Sequence, residues 1–246
     1  MTLFVLVHSP LAGVLTWAHV ANVLWERELG VVVPGLHSDV EAWQAGTPYW
    51  SQHVDQIRES LSQLPSEGPE AVEADEAVVL VGHSGAGSLL PAVGAAIERP
   101  VAAYVFCDAG VPRDGASRFE GFGSAEVVES FRRSAVDGMM PPFPAEAWED
   151  AIPDAGVRRE FMQDLRSTPL EVYEEPLPVA AAWPEAPVAY LGFRRSREMY
   201  AESVKRALAE GWPFSELEGG HFQMLVDPER VARGLLQLCR KCGVEL

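Results

Sequence analysis

The chain is poor in cysteine and in positive charge, and it contains no long apolar run. Its three cysteines, Cys107, Cys239 and Cys242, are too few and too unevenly spaced for a disulfide framework, which fits a reducing compartment. Cys239 and Cys242 make a single C-x-x-C, yet a zinc site needs about four ligands and neither a second pair nor a nearby histidine accompanies them. The pair reads as one half-buried and one exposed thiol on a terminal helix, and no metal is expected. Nineteen basic residues against 36 acidic ones leave a net charge of −17. A surface of that sign repels phosphate backbones and anionic membranes, so neither nucleic acid nor a membrane is an expected partner. The apolar start, MTLFVLVHSPLAG, lacks a basic lead-in and breaks too early for a signal or spanning helix. It reads as a strand of the mature fold in a cytoplasmic protein.

What is present suits one large domain over 1–246: 48% of the 246 residues are apolar and 22% charged, enough to bury a substantial core. Short β-rich runs lie at Leu3 to Val7, Val31 to Val33, Ala77 to Val81, Val101 to Cys107, Val188 to Leu191 and Trp212 to Leu217. Between them, helical periods run over Thr16 to Glu28, Pro48 to Leu64, Gly87 to Glu98, Arg197 to Glu210 and Pro228 to Cys242. This alternation predicts an α/β fold with a mostly parallel six-stranded sheet flanked by helices. The stretch 111–187 breaks the rhythm. It is rich in Pro, Glu and aromatics, with Met139-Met140-Pro141-Pro142-Phe143-Pro144 in its middle, and is too long for a loop, so it reads as an insertion with helices of its own. Glu67 to Glu76 reads as an acidic surface linker.

The strongest local signal is the strand Ala77 to Val81 running into Gly82-His83-Ser84-Gly85-Ala86 and then a helix. A nucleophile at the tip of a strained strand-to-helix turn needs small residues two before and two after it, because backbone approaches backbone there. Gly82 and Ala86 meet that need. Such a turn aims the Ser84 hydroxyl away from the sheet and sets the Gly85 amide at a helix N-terminus, where it can stabilise an oxyanion.

Together with two other landmarks, this turn makes the chain resemble the α/β-hydrolase superfamily over nearly its whole length. Its small single-domain layout is similar to the plant methylesterase and hydroxynitrile lyase branch. Leu3 to His8 followed by Ser9-Pro10-Leu11-Ala12-Gly13 and Trp17 looks like the family's first core strand and oxyanion loop. Gly219-Gly220-His221-Phe222 followed by Asp227-Pro228 looks like its catalytic histidine loop. The resemblance implies serine and histidine chemistry and leaves the substrate open. His221 is then the general base, since an imidazole of ordinary pKa about 6.5 can take the Ser84 proton near neutrality. Among the other histidines, His8 supports the oxyanion loop and His83, a neighbour of the nucleophile, lines the site. His19, His37 and His53, with no motif around them, read as surface or pocket residues.

Two positions depart from the family pattern. The acid that orients the histidine usually follows the penultimate strand, where this chain reads Gly192-Phe193-Arg194-Arg195-Ser196-Arg197-Glu198 and offers only Glu198, beside three arginines. The alternative is Asp108, at the C-terminal end of the strand from Val101, where parallel sheets keep functional residues and where some family members place the acid. A turn cap before Ala109-Gly110 is the plainer role for that residue. A dyad without a fixed acid is the third possibility. The second departure is Pro10, which stands where the family uses a backbone amide as oxyanion donor and has no amide hydrogen. Leu11 or the Ser9 hydroxyl must substitute, or the hole is weaker.

The expectation is therefore a serine hydrolase that cleaves an ester or other acyl bond of a small hydrophobic molecule without a cofactor, as a monomer or homodimer. The insertion, with Phe119, Phe122, Phe131, Met139, Met140, Phe143, Trp148 and Trp183, would be its lid. Acyl transfer or a lyase reaction on the same residues is the alternative within enzymes. A catalytically silent ligand-binding fold, suggested by Pro10 and the displaced acid, is the alternative outside them.

Overall fold

Five apolar residues in a row leave no polar face for water, and Leu3–Val7 accordingly forms a strand, β1, that is buried on both sides. The computed structural model describes residues 2–65, 72–73, 75–122 and 124–246. After β1 the chain passes through α1 (Leu15–Trp25), β2 (Gly30–Val32), α2 (Val40–Gln44), α3 (Tyr49–Ser62), β3 (Val78–Ser84), α4 (Leu90–Ala96) and β4 (Val101–Ala109). Then follow α5 (Ala125–Ser134), β5 (Met139–Met140), α6 (Ala155–Gln163), β6 (Thr168–Pro169) and α7 (Glu171–Glu174). The last stretch is β7 (Val188–Phe193), α8 (Ala201–Ala209), β8 (Phe214–Leu217), α9 (Gln223–Val226) and α10 (Pro228–Lys241).

Six strands pair in parallel in the order β2-β1-β3-β4-β7-β8, the α/β architecture that the alternation predicts. Alternate side chains supply two cores. Phe4, Leu6, Val79, Val81, Val105 and Leu191 pack under α1 and α10, while Leu3, Val5, Val7, Leu80, Phe106 and Tyr190 pack under α3, α4 and α8. Each fully buried side chain of this size contributes about 1.5–3 kcal/mol, so both faces resist polar substitution. The chain leaves β1 toward β2 on one side and returns as β3 on the other. Order reverses between β1 and β3, and open α/β sheets hold their ligands at such a point, by the carboxyl ends of the strands.

The differences from the sequence-based expectation have local causes. The helix expected from Gly87 opens as a 3-10 turn, Gly87–Leu89, before α4. A side chain at Gly87 would fall 2.5 Å from the Gly110 carbonyl oxygen, so this segment lies hard against the end of β4. The helix expected from Arg197 begins only at Ala201, after a 3-10 turn at Arg194–Ser196. Cys239 is fully buried and Cys242 half-buried, so neither thiol is exposed. The acidic segment Glu67 to Glu76 falls largely outside the described residues. Within 111–187 the chain forms α5, α6 and α7, and also a short antiparallel ladder of β5 with β6, too brief for any periodicity to reveal.

Candidate active site

The point where the strand order reverses is bordered by the loop after β1 and by the end of β3, where Ser84 stands at φ +57°. That left-handed conformation costs an L-residue about 1–2 kcal/mol and persists only where the surroundings enforce it. The enforcement is steric. A side chain at Gly82 would come within 3.1 Å of the Ala86 carbonyl group, and Ala86 is itself fully buried. Ser84 is 8% exposed, and its Oγ lies 3.1 Å from the Tyr200 hydroxyl, a partner that no motif announces.

Asp108, at the end of β4, is also left-handed, at φ +47°, and is 1% exposed. His221 Nδ1 donates to its Oδ2 at 2.6 Å. That bond leaves Nε2 as the unprotonated nitrogen, the form that can accept a proton. Ser196 Oγ donates to the same Oδ2 at 2.5 Å and the Phe193 amide donates to Oδ1 at 3.1 Å. The loop after β7, where the acid would usually stand, thus supplies donors that hold an acid presented by β4. Glu198 is exposed, and the arginines near it pair elsewhere, Arg194 with Glu216 and Glu218 and Arg197 with Glu216. Gly219, at φ +141°, lets the loop after β8 turn His221 toward Asp108; a side chain there would strike Gln223. The rings of His221 and Tyr200 lie 5.6 Å apart, so Tyr200 stands beside both Ser84 and His221.

His8 shapes the opposite wall. Its Nδ1 donates to the Ser9 carbonyl at 2.8 Å, and its Nε2 accepts the Leu36 amide at 3.3 Å. Burial lowers its pKa, against the opposing pull of the Ser9 carbonyl. Pro10 has its carbonyl bound by Thr168 Oγ1 at 3.0 Å, and the Leu11 amide points at Ser9 Oγ at 3.4 Å. Ser9 Oγ in turn lies 2.7 Å from the Tyr173 hydroxyl. A cavity of about 430 Å³ opens behind this loop, walled by His8, Pro10, His37, Asp164, Arg166 and Thr168, and Ser84 is not among its walls.

His83 is wholly buried and does not reach the surface of the site. Its Nε2 donates to the His221 carbonyl at 2.9 Å, so it props the loop of the general-base candidate from beneath. Burial, then the proximity of His221, holds its pKa well below the ordinary value. His53 is no surface residue either: it is buried, with Nε2 3.1 Å from Ser38 Oγ and its pKa likewise held well down by burial. Behind the site lies a buried Arg118–Glu175 pair at 3.3 Å. Arg118 also donates to the Gly85 and Val172 carbonyls, and Glu175 accepts the Tyr49 and Trp50 amides at the start of α3.

The aromatics of the insertion form a chain of ring contacts that reaches His221. Phe131 meets Phe143, Phe143 meets Trp148, Trp148 meets Phe222 and Phe222 meets His221, with centroids 5.1–5.8 Å apart. Phe122 packs on Tyr200 at 6.1 Å. Trp183 belongs elsewhere, packing with Tyr104, Phe106 and Trp212 on the other face of the sheet. Tyr173, Tyr200, Ser196 and Arg118 are the residues that sequence reasoning missed, since none sits in a local motif.

Solved structures share this arrangement of chain. An extracellular α/β-hydrolase from a Paenibacillus species superposes with a TM-score of 0.74 at 20% identity, covering 97% of this chain and 98% of the other. Tomato methylketone synthase I, solved with 2-tridecanone, gives 0.73 at 15% identity, covering 98% of each chain. Polyneuridine aldehyde esterase gives 0.72 at 16% identity, covering 97% and 99%. At such identities the likeness is one of fold. No curated protein matches the chain. The profile of the Alpha/beta hydrolase family matches residues 4–234, taking in most of β1, the loop after it, the Ser84 turn and the His221 loop. With the sheet order and the Ser84 turn agreeing with that match, the chain belongs to the alpha/beta hydrolase family.

Proposed function

We propose that the protein is a serine hydrolase that cleaves an ester or related acyl bond of a small hydrophobic molecule through an acyl-serine intermediate. The observation that carries this reading is the 2.6 Å bond from His221 to the buried Asp108, with Ser84 held at φ +57° on the neighbouring strand end. Esterase chemistry in a structural neighbour, polyneuridine aldehyde esterase, supports the reaction class.

In the proposed mechanism His221 Nε2 takes the Ser84 proton as Oγ bonds to the substrate carbonyl carbon. The carbonyl oxygen becomes an oxyanion facing the Gly85 amide and the loop from Ser9 to Leu11. Asp108 stabilises the imidazolium and keeps the tautomer, its own oxygens oriented by Ser196 and the Phe193 amide. The imidazolium returns its proton to the departing alkoxide as the carbonyl reforms. Water then gives a proton to His221 while its oxygen attacks the acyl carbon, and Ser84 leaves with that proton, releasing the acid. The rings of Phe122, Phe131, Phe143 and Trp148 favour an aliphatic or aromatic group on the substrate, since burying apolar area is worth about 25 cal/mol per Å².

A fluorophosphonate probe tests the reading. Labelling should map to Ser84 by mass spectrometry and vanish in Ser84→Ala and His221→Ala, with ester turnover lower by something on the order of 10⁴–10⁶ in both. Folded protein that neither labels nor turns over activated esters would sink it.

A further inference from the structure

Pro10 deprives the loop after β1 of an amide hydrogen. The Tyr173 hydroxyl, from α7 of the insertion, reaches in between that loop and the Ser84 turn. It lies 2.7 Å from Ser9 Oγ on one side, and Ser9 Oγ itself takes the Leu11 amide hydrogen at 3.4 Å. On the other side it stands so close to Gly85 that a side chain there would come within 2.9 Å of the hydroxyl oxygen. A side chain at Gly85 would therefore push against this tyrosine.

We infer that the Tyr173 hydroxyl is a catalytic oxyanion donor, supplying with the Gly85 amide the second hydrogen bond that Pro10 cannot make; this inference rests on the acyl-serine reading above. The hydroxyl is suited to it. Tyr173 is 1% exposed and its ring is fixed by Phe119 at 5.4 Å and stacked with Phe131 and Phe122 at 6.2 and 6.3 Å, so little reorganisation accompanies the reaction. Burial raises its pKa above that of an ordinary phenol, with Ser9 as the main opposing influence, so the group stays protonated. The Leu11 amide donates to Ser9 Oγ, which leaves the Ser9 hydroxyl hydrogen to point at the phenolic oxygen. With Ser9 Oγ–H donating to it, the phenolic proton is free to swing to the oxyanion, and the relay from the Leu11 amide through Ser9 polarises that bond. The proton is shared, not transferred, and no bond within Tyr173 is broken.

Tyr173→Phe is the test, because the ring and its stacking remain. Burst kinetics on an activated ester should show acylation and kcat lower by about 10²–10³, the usual effect of deleting one oxyanion donor, with KM and the unfolding midpoint little changed. Affinity for an aryl trifluoromethyl ketone, which forms a hemiketal oxyanion on Ser84, should fall by the same factor as kcat/KM, whereas affinity for the product acid should not. A role confined to packing would not separate those two ligands. Tyr173→Phe that acylates within about threefold of the parent, or faster, overturns the inference while leaving the acyl-serine reading in place. A parent protein that shows no burst overturns the reading beneath it.

Discussion

The turn that carries Ser84 is held by its own neighbours in the chain, whereas the loop from Ser9 to Leu11 is held by residues more than 150 positions away. At the turn, Gly82 and Ala86 meet backbone to backbone, and both they and the end of β3 are buried. At the loop, Thr168 binds the Pro10 carbonyl, Tyr173 binds Ser9, and Asp164 accepts the Leu15 amide at the start of α1. All three come from the insertion. A segment that reads as a lid therefore also completes one wall of the site, so changes in 164–173 should alter chemistry as well as access.

The contrast is tested most severely at the core-built side. Asp108→Asn keeps the shape and the Ser196 contact but cannot hold the Nδ1–H tautomer in the same way. On the precedent of serine hydrolases, kcat should fall by about 10⁴ while the unfolding midpoint moves little. Glu198→Gln, on the exposed loop, should leave kcat within about twofold, surface changes away from such networks being near neutral. If Glu198→Gln instead proved the damaging change, the acid would belong after β7 and the account of β4 would fail.

Both sides rest on histidines whose pKa burial lowers, His83 beneath the turn and His8 beneath the loop, with His53 as a third. Each has a folded pKa below its unfolded value near 6.5, so the unfolded chain binds more protons as pH falls through that value. Stability is therefore held in full well above pH 6.5 and declines as pH falls through the unfolded value, until the folded histidines protonate in turn. His8 shows why protonation is resisted: its Nε2 already accepts the Leu36 amide, and a second hydrogen there would face a donor. Urea unfolding followed across that range checks the slope, and a flat profile would mean that these histidines protonate without unfolding. His53→Gln should remove one share of the slope and leave the active site intact.

The turn-side residues were legible because their constraints are local. Gly82, Ser84 and Ala86 are set by a five-residue steric problem, and the apolar runs of β1, β3, β4 and β7 declare strands buried on both faces. Asp108 could be named as a candidate from its place at a strand end, but its donors could not, since the Phe193 amide and Ser196 reach it from the end of β7 and the turn after it. Tyr173 and Tyr200 lay beyond reach for the same reason. Each reaches its partner across more than 100 residues, and nothing in the residues beside it signals the contact. Trp183, grouped with the lid by sequence position alone, packs on the opposite face because chain proximity says nothing about which side of the sheet a residue joins.

The smallest effect concerns how the insertion is tied to the loop side. Helix α1 has Val14 at its N-cap position, which offers no side-chain acceptor, and the Asp164 carboxylate takes the Leu15 amide at 2.8 Å in its place. A side chain at Gly13 would fall 2.0 Å from Asp164 Oδ2, so Gly13 is small in order to admit that carboxylate. Asp164→Ala should cost about 1 kcal/mol, as removal of a capping group usually does, and Gly13→Ala should cost a similar amount by expelling the same carboxylate. The double variant should then be little worse than either alone, because both changes break one interaction. Additive losses in urea unfolding would show that Gly13 and Asp164 act separately, and that the insertion is not what caps α1.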